Sequence, residues 1–182
     1  MAVQTQRTTV EEFERFAALP ENADRRLEYI GGEVIEVVSN NYSSLVAAQV
    51  LIELGAYVKR HHLGYVTGAD GGYKVAGEDY IPDVGFISLT KQPEPSHDVY
   101  NPNSPDLAVE VLSPSDEPDD TRIKMGNYLA AGSVVWVVDP DQKQVEVYMP
   151  GQAGKRLGEK DTLDGGDVLP GFTLAVKDIF PE

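Results

Sequence analysis

The chain has 182 residues, of which 41% are hydrophobic and 25% charged, as expected for an ordinary globular protein with a sizeable core. Its 30 acidic side chains outnumber its 15 basic ones, which gives a net charge of −15 at pH 7. This charge argues against strong nucleic-acid binding, because lysine and arginine normally neutralise the phosphates. The absence of cysteine excludes disulfides and thiolate metal sites.

The sequence carries no pattern of export or membrane insertion. Its first residues lack the apolar core of a signal peptide, and no apolar run approaches the roughly 18 residues of a membrane span. We therefore expect a cytoplasmic protein without a membrane partner. No linker, repeat or low-complexity tract interrupts the chain, so we expect a single domain over residues 1–182.

The N-terminal part of the chain is predicted to form two helices and a hairpin. Thr9 and Glu12 have the spacing of a capping box at the start of a short helix. The amphipathic period is strongest in the second helix. The predicted elements are a helix from Thr9 to about Ala18, a hairpin of residues 26–30 and 33–38 around Gly31-Gly32, and a helix over 43–62.

The remainder of the chain is predicted to be mostly β-strand. The predicted strands are 65–68, 71–75, 80–87, 106–112, 134–138 and 144–148, with a helix over 116–131 and short strands and turns over 155–182. Residues 91–105 contain four prolines and predict a loop, of the kind that forms a mobile flap over a site. This order implies an α/β (α+β) fold with a mixed sheet flanked by helices.

The most informative residue is Glu110, which interrupts the apolar strand predicted over 106–112. A carboxylate buried without a partner costs several kcal/mol or more, so a metal ion or a cation should compensate it. Two other candidates are Asp83, in the predicted strand 80–87, and Lys124, in the following helix. Together these residue types can form a divalent-metal hydrolytic site.

Geometry allows these three side chains to meet. The alternation of a strand places Glu110 on the same face as Ala108, and a neighbouring strand would bring Asp83 beside it. Mg²⁺ needs only one or two carboxylates, with waters and phosphate oxygens as further ligands. Lys124 and Tyr128 are four residues apart, so they share the helix face that could point at the metal.

Ordinary structural roles remain open for each candidate. Asp83 follows a proline and has the position of a turn residue, and Lys124 alone would be a solvated helix residue. Glu28 is a further metal-ligand candidate, although a carboxylate in a hairpin is usually solvated. His61 and His62 fit a helix C-terminus, where the dipole favours cations. The chain has no phosphate-binding loop, dinucleotide motif or nucleophilic serine elbow.

Several segments together resemble the bacterial "Uma-two" family of restriction-endonuclease-like nucleases, within the PD-(D/E)XK superfamily. The resemblance covers nearly the whole chain and is specific in its order. The segments are 28–33, Ile81-Pro82-Asp83-Val84, 105–115, Lys124 with 128–132, 135–140 and 165–172.

The resemblance implies a restriction-endonuclease-like core, with an extra N-terminal hairpin and C-terminal strands, in which Asp83 and Glu110 bind a metal. The superfamily usually places a lysine two residues after the acid, but this chain has Leu112 there. Lys124 matches a lysine that the family carries on the next helix. Many family members also carry a histidine at the start of the long helix, and residues 40–43 contain none.

Three functional hypotheses follow. The first is a Mg²⁺- or Mn²⁺-dependent endonuclease acting on DNA, with Asp83, Glu110 and Lys124 catalytic and Asp83, Glu110 and Glu28 binding metal. The second is a weakly active or inert relative that acts as a protein-interaction or regulatory module, which suits the acidic surface. The third is hydrolysis of a small phosphate compound. Restriction-type folds often dimerise, so we expect a homodimer or a higher homo-oligomer.

Overall fold

The structure is a computed structural model that describes residues 8–181. Residues 1–7 lie outside the described residues, and so does this part of the prediction that the N-terminus lacks an export signal. The helices are α1 (Val10–Ala17), α2 (Asn41–His61) and α3 (Pro118–Ala130), with 3₁₀ turns at Pro20–Asn22 and Val176–Ile179. The strands are β1 (Leu27–Ile30), β2 (Glu33–Glu36), β3 (Gly64–Thr67), β4 (Gly72–Val75), β5 (Glu78–Tyr80), β6 (Val84–Ser88), β7 (Tyr100–Asn101), β8 (Leu107–Val111), β9 (Val134–Asp139), β10 (Gln144–Tyr148), β11 (Lys155–Gly158), β12 (Thr162–Asp164) and β13 (Thr173–Ala175).

Side-chain and proline signals fix where the helices begin. Thr9 and Glu12 form the predicted capping box at the start of α1. The Asn40 side chain accepts a hydrogen bond from the backbone N–H of Ser43 and caps α2, while Pro118 is the first residue of α3. None of the helices within residues 8–181 has the length and apolar character needed to cross a membrane.

A six-stranded mixed sheet forms the centre of the fold. Its order is β11-β10-β9-β8-β6-β3, with β8 and β9 parallel and the other pairs antiparallel. One face packs against α2 through residues such as Val50 and Val109, and the other face packs against α3 through Ala108 and Tyr128. The alternation along β8 therefore directs Glu110 toward α3.

A five-stranded sheet, in the order β2-β1-β5-β4-β7, lies against the α3 side of the central sheet. The contact is close at Gly85 on β6, where an added Cβ would lie 2.6 Å from the Tyr73 ring and 2.8 Å from the Thr67 hydroxyl. The Tyr73 and Thr67 hydroxyls are themselves hydrogen bonded at 2.8 Å. A glycine at this position is what lets the two sheets approach.

The structure has the predicted α+β class, the N-terminal hairpin and the C-terminal strands. Two local predictions are wrong. Residues 80–87 are not one strand, because the chain leaves the five-stranded sheet after Tyr80 and enters the central sheet at Val84. Asp83 lies in the gap, beside Pro82, which cannot donate a ladder hydrogen bond.

Residues 91–105 are also not a free flap. Within them, β7 pairs with β4, and the buried Tyr100 hydroxyl donates to the carbonyl of Leu27 at 2.6 Å. This segment belongs to the five-stranded sheet and packs beneath α1, where Phe13 contacts the Tyr100 ring.

We predict that Gly85→Ala destabilises the protein by about 1–3 kcal/mol, because the methyl group has no room between the sheets. Gly126→Ala is the matched control, since a Cβ at this position on α3 meets nothing within 4 Å. Alanine there should stabilise the helix by about 0.5–1 kcal/mol. Urea unfolding of both variants checks this, and equal effects would contradict the close contact at Gly85.

Candidate active site

Two carboxylates face each other where β6 and β8 pair. The register matches Val84 with Val109, and its continuation places Asp83 opposite Glu110. The Asp83 carboxylate is fixed there, because its Oδ2 accepts a 2.7 Å hydrogen bond from the backbone N–H of Val111. Asp83, which lies in the break before β6, is therefore beside Glu110 of β8.

Helix α3 supplies two side chains that bind opposite oxygens of Glu110. The Lys124 ammonium donates to Oε2 at 2.8 Å, and the Tyr128 hydroxyl donates to Oε1 at 3.0 Å. Their four-residue spacing places both on one helix face, as the sequence predicted. Both carboxylate oxygens of Glu110 thus have a protein partner.

A third carboxylate, Glu28 from β1, completes the arrangement. Its Oε1 accepts a 2.6 Å hydrogen bond from the backbone N–H of Ile81 and lies 2.9 Å from the Lys124 ammonium. Only 5% of the Glu28 side chain and 10% of the Lys124 side chain are exposed. Lys124 is therefore a buried cation held between carboxylates from the two large sheets.

Burial dominates the ionisation of this cluster. The pKa of Glu110 is raised from 4.5 to about 8, first by burial and then by the neighbouring carboxylates of Glu28 and Asp83, while Lys124 opposes the shift. Burial also raises the pKa of Asp83, although the Val111 N–H and Lys124 oppose the shift. Burial lowers the pKa of Lys124, but Glu110 and Glu28 outweigh it and raise that pKa overall, so the amine stays protonated.

The cluster forms the floor of a cleft of about 380 Å³. Its walls are apolar side chains such as Ile35 and Leu112, and its rim is acidic: Glu36, Asp116, Glu117 and Asp120. Of the described residues that line it, Lys124 is the only lysine or arginine. The surroundings therefore disfavour a polyanion and favour a cation.

The residues fit a divalent metal by charge and donor type. Glu28, Asp83 and Glu110 would carry three negative charges when ionised, against the single positive charge of Lys124, and hard cations prefer carboxylate oxygens. Among the residues that the structure describes, no three potential ligand side chains converge as a ready metal site. Asp83 and Glu110 alone would suffice for Mg²⁺ if water and phosphate oxygens filled the other positions.

The structure thus brings together all four residues that the sequence selected as site candidates: Glu28, Asp83, Glu110 and Lys124. Glu28 pairs with Lys124, and its role as a metal ligand stays a prediction. His61 is at the far end of α2 and lines no part of the cleft, in agreement with a helix-end role.

Sequence reasoning missed a second polar network beside the first. The Asn127 amide donates to the Tyr80 hydroxyl at 2.6 Å and to Glu78, and the Tyr80 hydroxyl donates to Glu78 in turn. Glu78 also accepts a hydrogen bond from the backbone N–H of Gly31 at 2.7 Å. The sequence signal that could have revealed this network is the position of Asn127 on α3, three residues after Lys124 and so on a neighbouring part of the helix surface. This network secures α3 to the five-stranded sheet.

A sequence model of the Uma2 family, described as "Putative restriction endonuclease", matches residues 10–177, which is most of the chain. No curated protein matches the chain.

A solved structure described as a "putative nuclease belonging to DUF820" from Anabaena variabilis has the same fold. It superposes with a TM-score of 0.82 at 21% sequence identity, over 94% of this chain and 97% of the other. At this identity the likeness concerns the fold, which confirms the expected restriction-endonuclease-like core.

The raised pKa of Glu110 predicts how stability depends on pH in metal-free buffer. The folded state holds the Glu110 proton more tightly than the unfolded state does. The contribution of Glu110 to the free energy of unfolding is therefore complete below pH 4.5 and is lost as pH rises through about 8. Urea unfolding from pH 5 to 8 should therefore show wild type losing stability relative to Glu110→Gln.

Asp79→Asn serves as the control for this pH series. Asp79 is 1% exposed, neither carboxylate oxygen has a hydrogen-bond partner among the described residues, and burial raises its pKa to about 6. Its variant should differ from wild type in a lower window, between about pH 4 and 6. If the stability of wild type and of Glu110→Gln changed with pH in the same way, the raised pKa of Glu110 would be contradicted.

Proposed function

The chain belongs to the Uma2 family, and we propose that it is a Mg²⁺- or Mn²⁺-dependent endonuclease that hydrolyses phosphodiester bonds in DNA. The observation that carries the proposal is the opposed pair Asp83 and Glu110, held beside the buried Lys124 at the floor of an open cleft. When ionised, the carboxylates of Glu28, Asp83 and Glu110 outnumber the single ammonium of Lys124, and a bound cation would offset the unpaired negative charge.

Asp83 and Glu110 would hold the metal, and Glu28 is a candidate for a third ligand. The bound ion would lower the pKa of a coordinated water and stabilise charge on the phosphate. Asp83 keeps its orientation through the Val111 N–H, and Glu110 through Lys124 and Tyr128. These contacts preorganise the ligands before substrate arrives.

Lys124 acts as a fixed positive charge. Its pKa is raised by Glu110 and Glu28, so it stays protonated and is a poor general base. A protonated amine at the floor of the cleft stabilises negative charge that develops on a phosphate during hydrolysis. Glu28 holds that amine in place at 2.9 Å and so acts through Lys124.

The rival role is an inert relative that binds a protein partner. The observation in its favour is that Lys124 already binds both Glu28 and Glu110, so the cluster holds one internal counter-ion. The net charge of −15 also suits a basic protein better than DNA. Metal binding and cleavage distinguish the two roles.

We predict that titration calorimetry detects Mn²⁺ binding to wild type and that Asp83→Ala and Glu110→Gln each abolish it. Both variants should also lose nicking of supercoiled plasmid. Asp141→Ala, in an exposed turn that does not line the cleft, is the matched control and should keep both activities. Wild-type protein that binds no Mn²⁺ would refute the metal site, and binding without nicking would refute DNA cleavage.

Lys124→Met separates charge stabilisation from metal binding. We expect this variant to keep its Mn²⁺ binding and to lose nicking by about 100-fold or more, as when one transition-state donor is removed. Mn²⁺ should bind this variant at least as tightly as wild type and raise its unfolding temperature at least as much, because the ion replaces the missing positive charge. Equal loss of binding and nicking would contradict the assigned role.

A further inference from the structure

Helix α2 has an outer face that no other part of the described chain covers. The face contains Tyr42, Leu45, Gln49, Ile52 and Ala56, which recur at helical spacing. Tyr42 is 40% exposed, Leu45 is 42% exposed and Ile52 is 58% exposed. The central sheet and the C-terminal 3₁₀ turn pack against the opposite face of α2, which carries its buried residues such as Val46, Val50 and Leu54.

Charge is distributed unevenly along this helix. Between residues 41 and 58 the only charged residue is Glu53, although a quarter of the chain is charged. The last turn carries Lys59, Arg60 and His61, all exposed. The surface is therefore apolar along most of its length and basic at one end.

The other end of α2 adjoins the acidic cleft. Val38 and Ser39, immediately before the helix, line the cleft, and the Ser43 hydroxyl donates to the carbonyl of the cleft residue Leu112 at 3.0 Å. The acidic rim residues Glu36 and Asp116 line the same cleft. A helix of 21 residues, about 31 Å long, thus separates an acidic end from a basic end.

We propose that the outer face of α2 binds the same face of a second copy of this chain, with the two helices antiparallel about a two-fold axis. This arrangement places Lys59 and Arg60 of each copy beside the acidic cleft of the other. The part played by these residues at the cleft rests on the proposed function, whereas the dimer itself does not.

The sequence of α2 is self-complementary in this orientation. With the axis between Val50 and Leu51, Leu45 of one copy faces Ala56 of the other, so a large side chain meets a small one. Gln49 then faces Ile52, and Glu53 faces Ala48, so no two like charges oppose each other.

The same register matches the two ends by charge and chemistry. Tyr42 faces Lys59, a cation–π pairing, and Asn41 faces Arg60. Copies that each carry −15 charges repel one another over most of their surface, so the uncharged strip is where they can approach.

The arrangement would also supply what the cleft lacks. Among residues 8–181, Lys124 is the only lysine or arginine lining the cleft, and the buried carboxylates already hold it. Phosphate groups of a DNA strand need further cations at the entrance. Lys59 and Arg60 from the second copy lie at the right end of the helix to provide them.

Sedimentation velocity tests the interface independently of any activity. Wild type should sediment as a dimer and Ile52→Arg as a monomer, because the variant buries one new positive charge from each copy, about one helical turn apart, near the centre of the contact. Val99→Arg, which alters a 70% exposed valine elsewhere, is the matched control and should remain a dimer. A monomeric wild type, or a dimeric Ile52→Arg with unchanged circular dichroism, would overturn the proposal.

A mixing experiment tests whether the basic turn acts across the interface. Lys59→Ala/Arg60→Ala and Glu110→Gln should each nick plasmid poorly alone. Mixed dimers have one cleft with intact Glu110 facing an intact basic turn, so the mixture should recover about one quarter of wild-type nicking. Recovery supports the contribution in trans, and no recovery refutes it. If wild type dimerises but never nicks, the proposed function fails and the interface stands.

Discussion

The buried ammonium of Lys124 is the interaction on which the site depends. It joins three parts of the fold, because Glu28 comes from the five-stranded sheet, Glu110 from the central sheet and Lys124 from α3. Burying these groups is costly unless all of them are paired, so removing one would leave an uncompensated charge. The position of α3 against both sheets is therefore tied to the ionisation state of the cleft.

The site arises where the chain passes from one sheet to the other. Asp83 lies in the break between β5 and β6, and the pairing of β6 with β8 then places it opposite Glu110. Gly85 follows Asp83 by two residues, and its lack of a side chain lets the Tyr73 ring of the five-stranded sheet pack closely there. The geometry of the carboxylate pair thus follows from the pairing of β6 with β8 in the central sheet, and this rigid scaffold preorganises it.

The part of this account that was predictable from sequence rests on patterns that are local. Glu110 stands out because a charged residue interrupts an apolar strand, and Lys124 and Tyr128 share a helix face through their spacing alone. The passage of the chain between sheets at residues 81–83 was not predictable, because Ile81 and Val84 continue an apolar run. The prolines around Tyr100 predict a loop, whereas the hydrogen bond that fixes Tyr100 goes to Leu27, which is distant in sequence. The link between Glu28 and Lys124 is likewise set by tertiary contacts.

The central claim is that the excess negative charge around Lys124 is the binding site of a divalent cation. Anomalous diffraction from crystals soaked in Mn²⁺ tests it most directly. The account predicts a single strong peak within about 2.5 Å of carboxylate oxygens of Asp83 and Glu110, at the floor of the cleft. A peak confined to the rim residues, or no peak with Lys124 still bound to both Glu28 and Glu110, would contradict it.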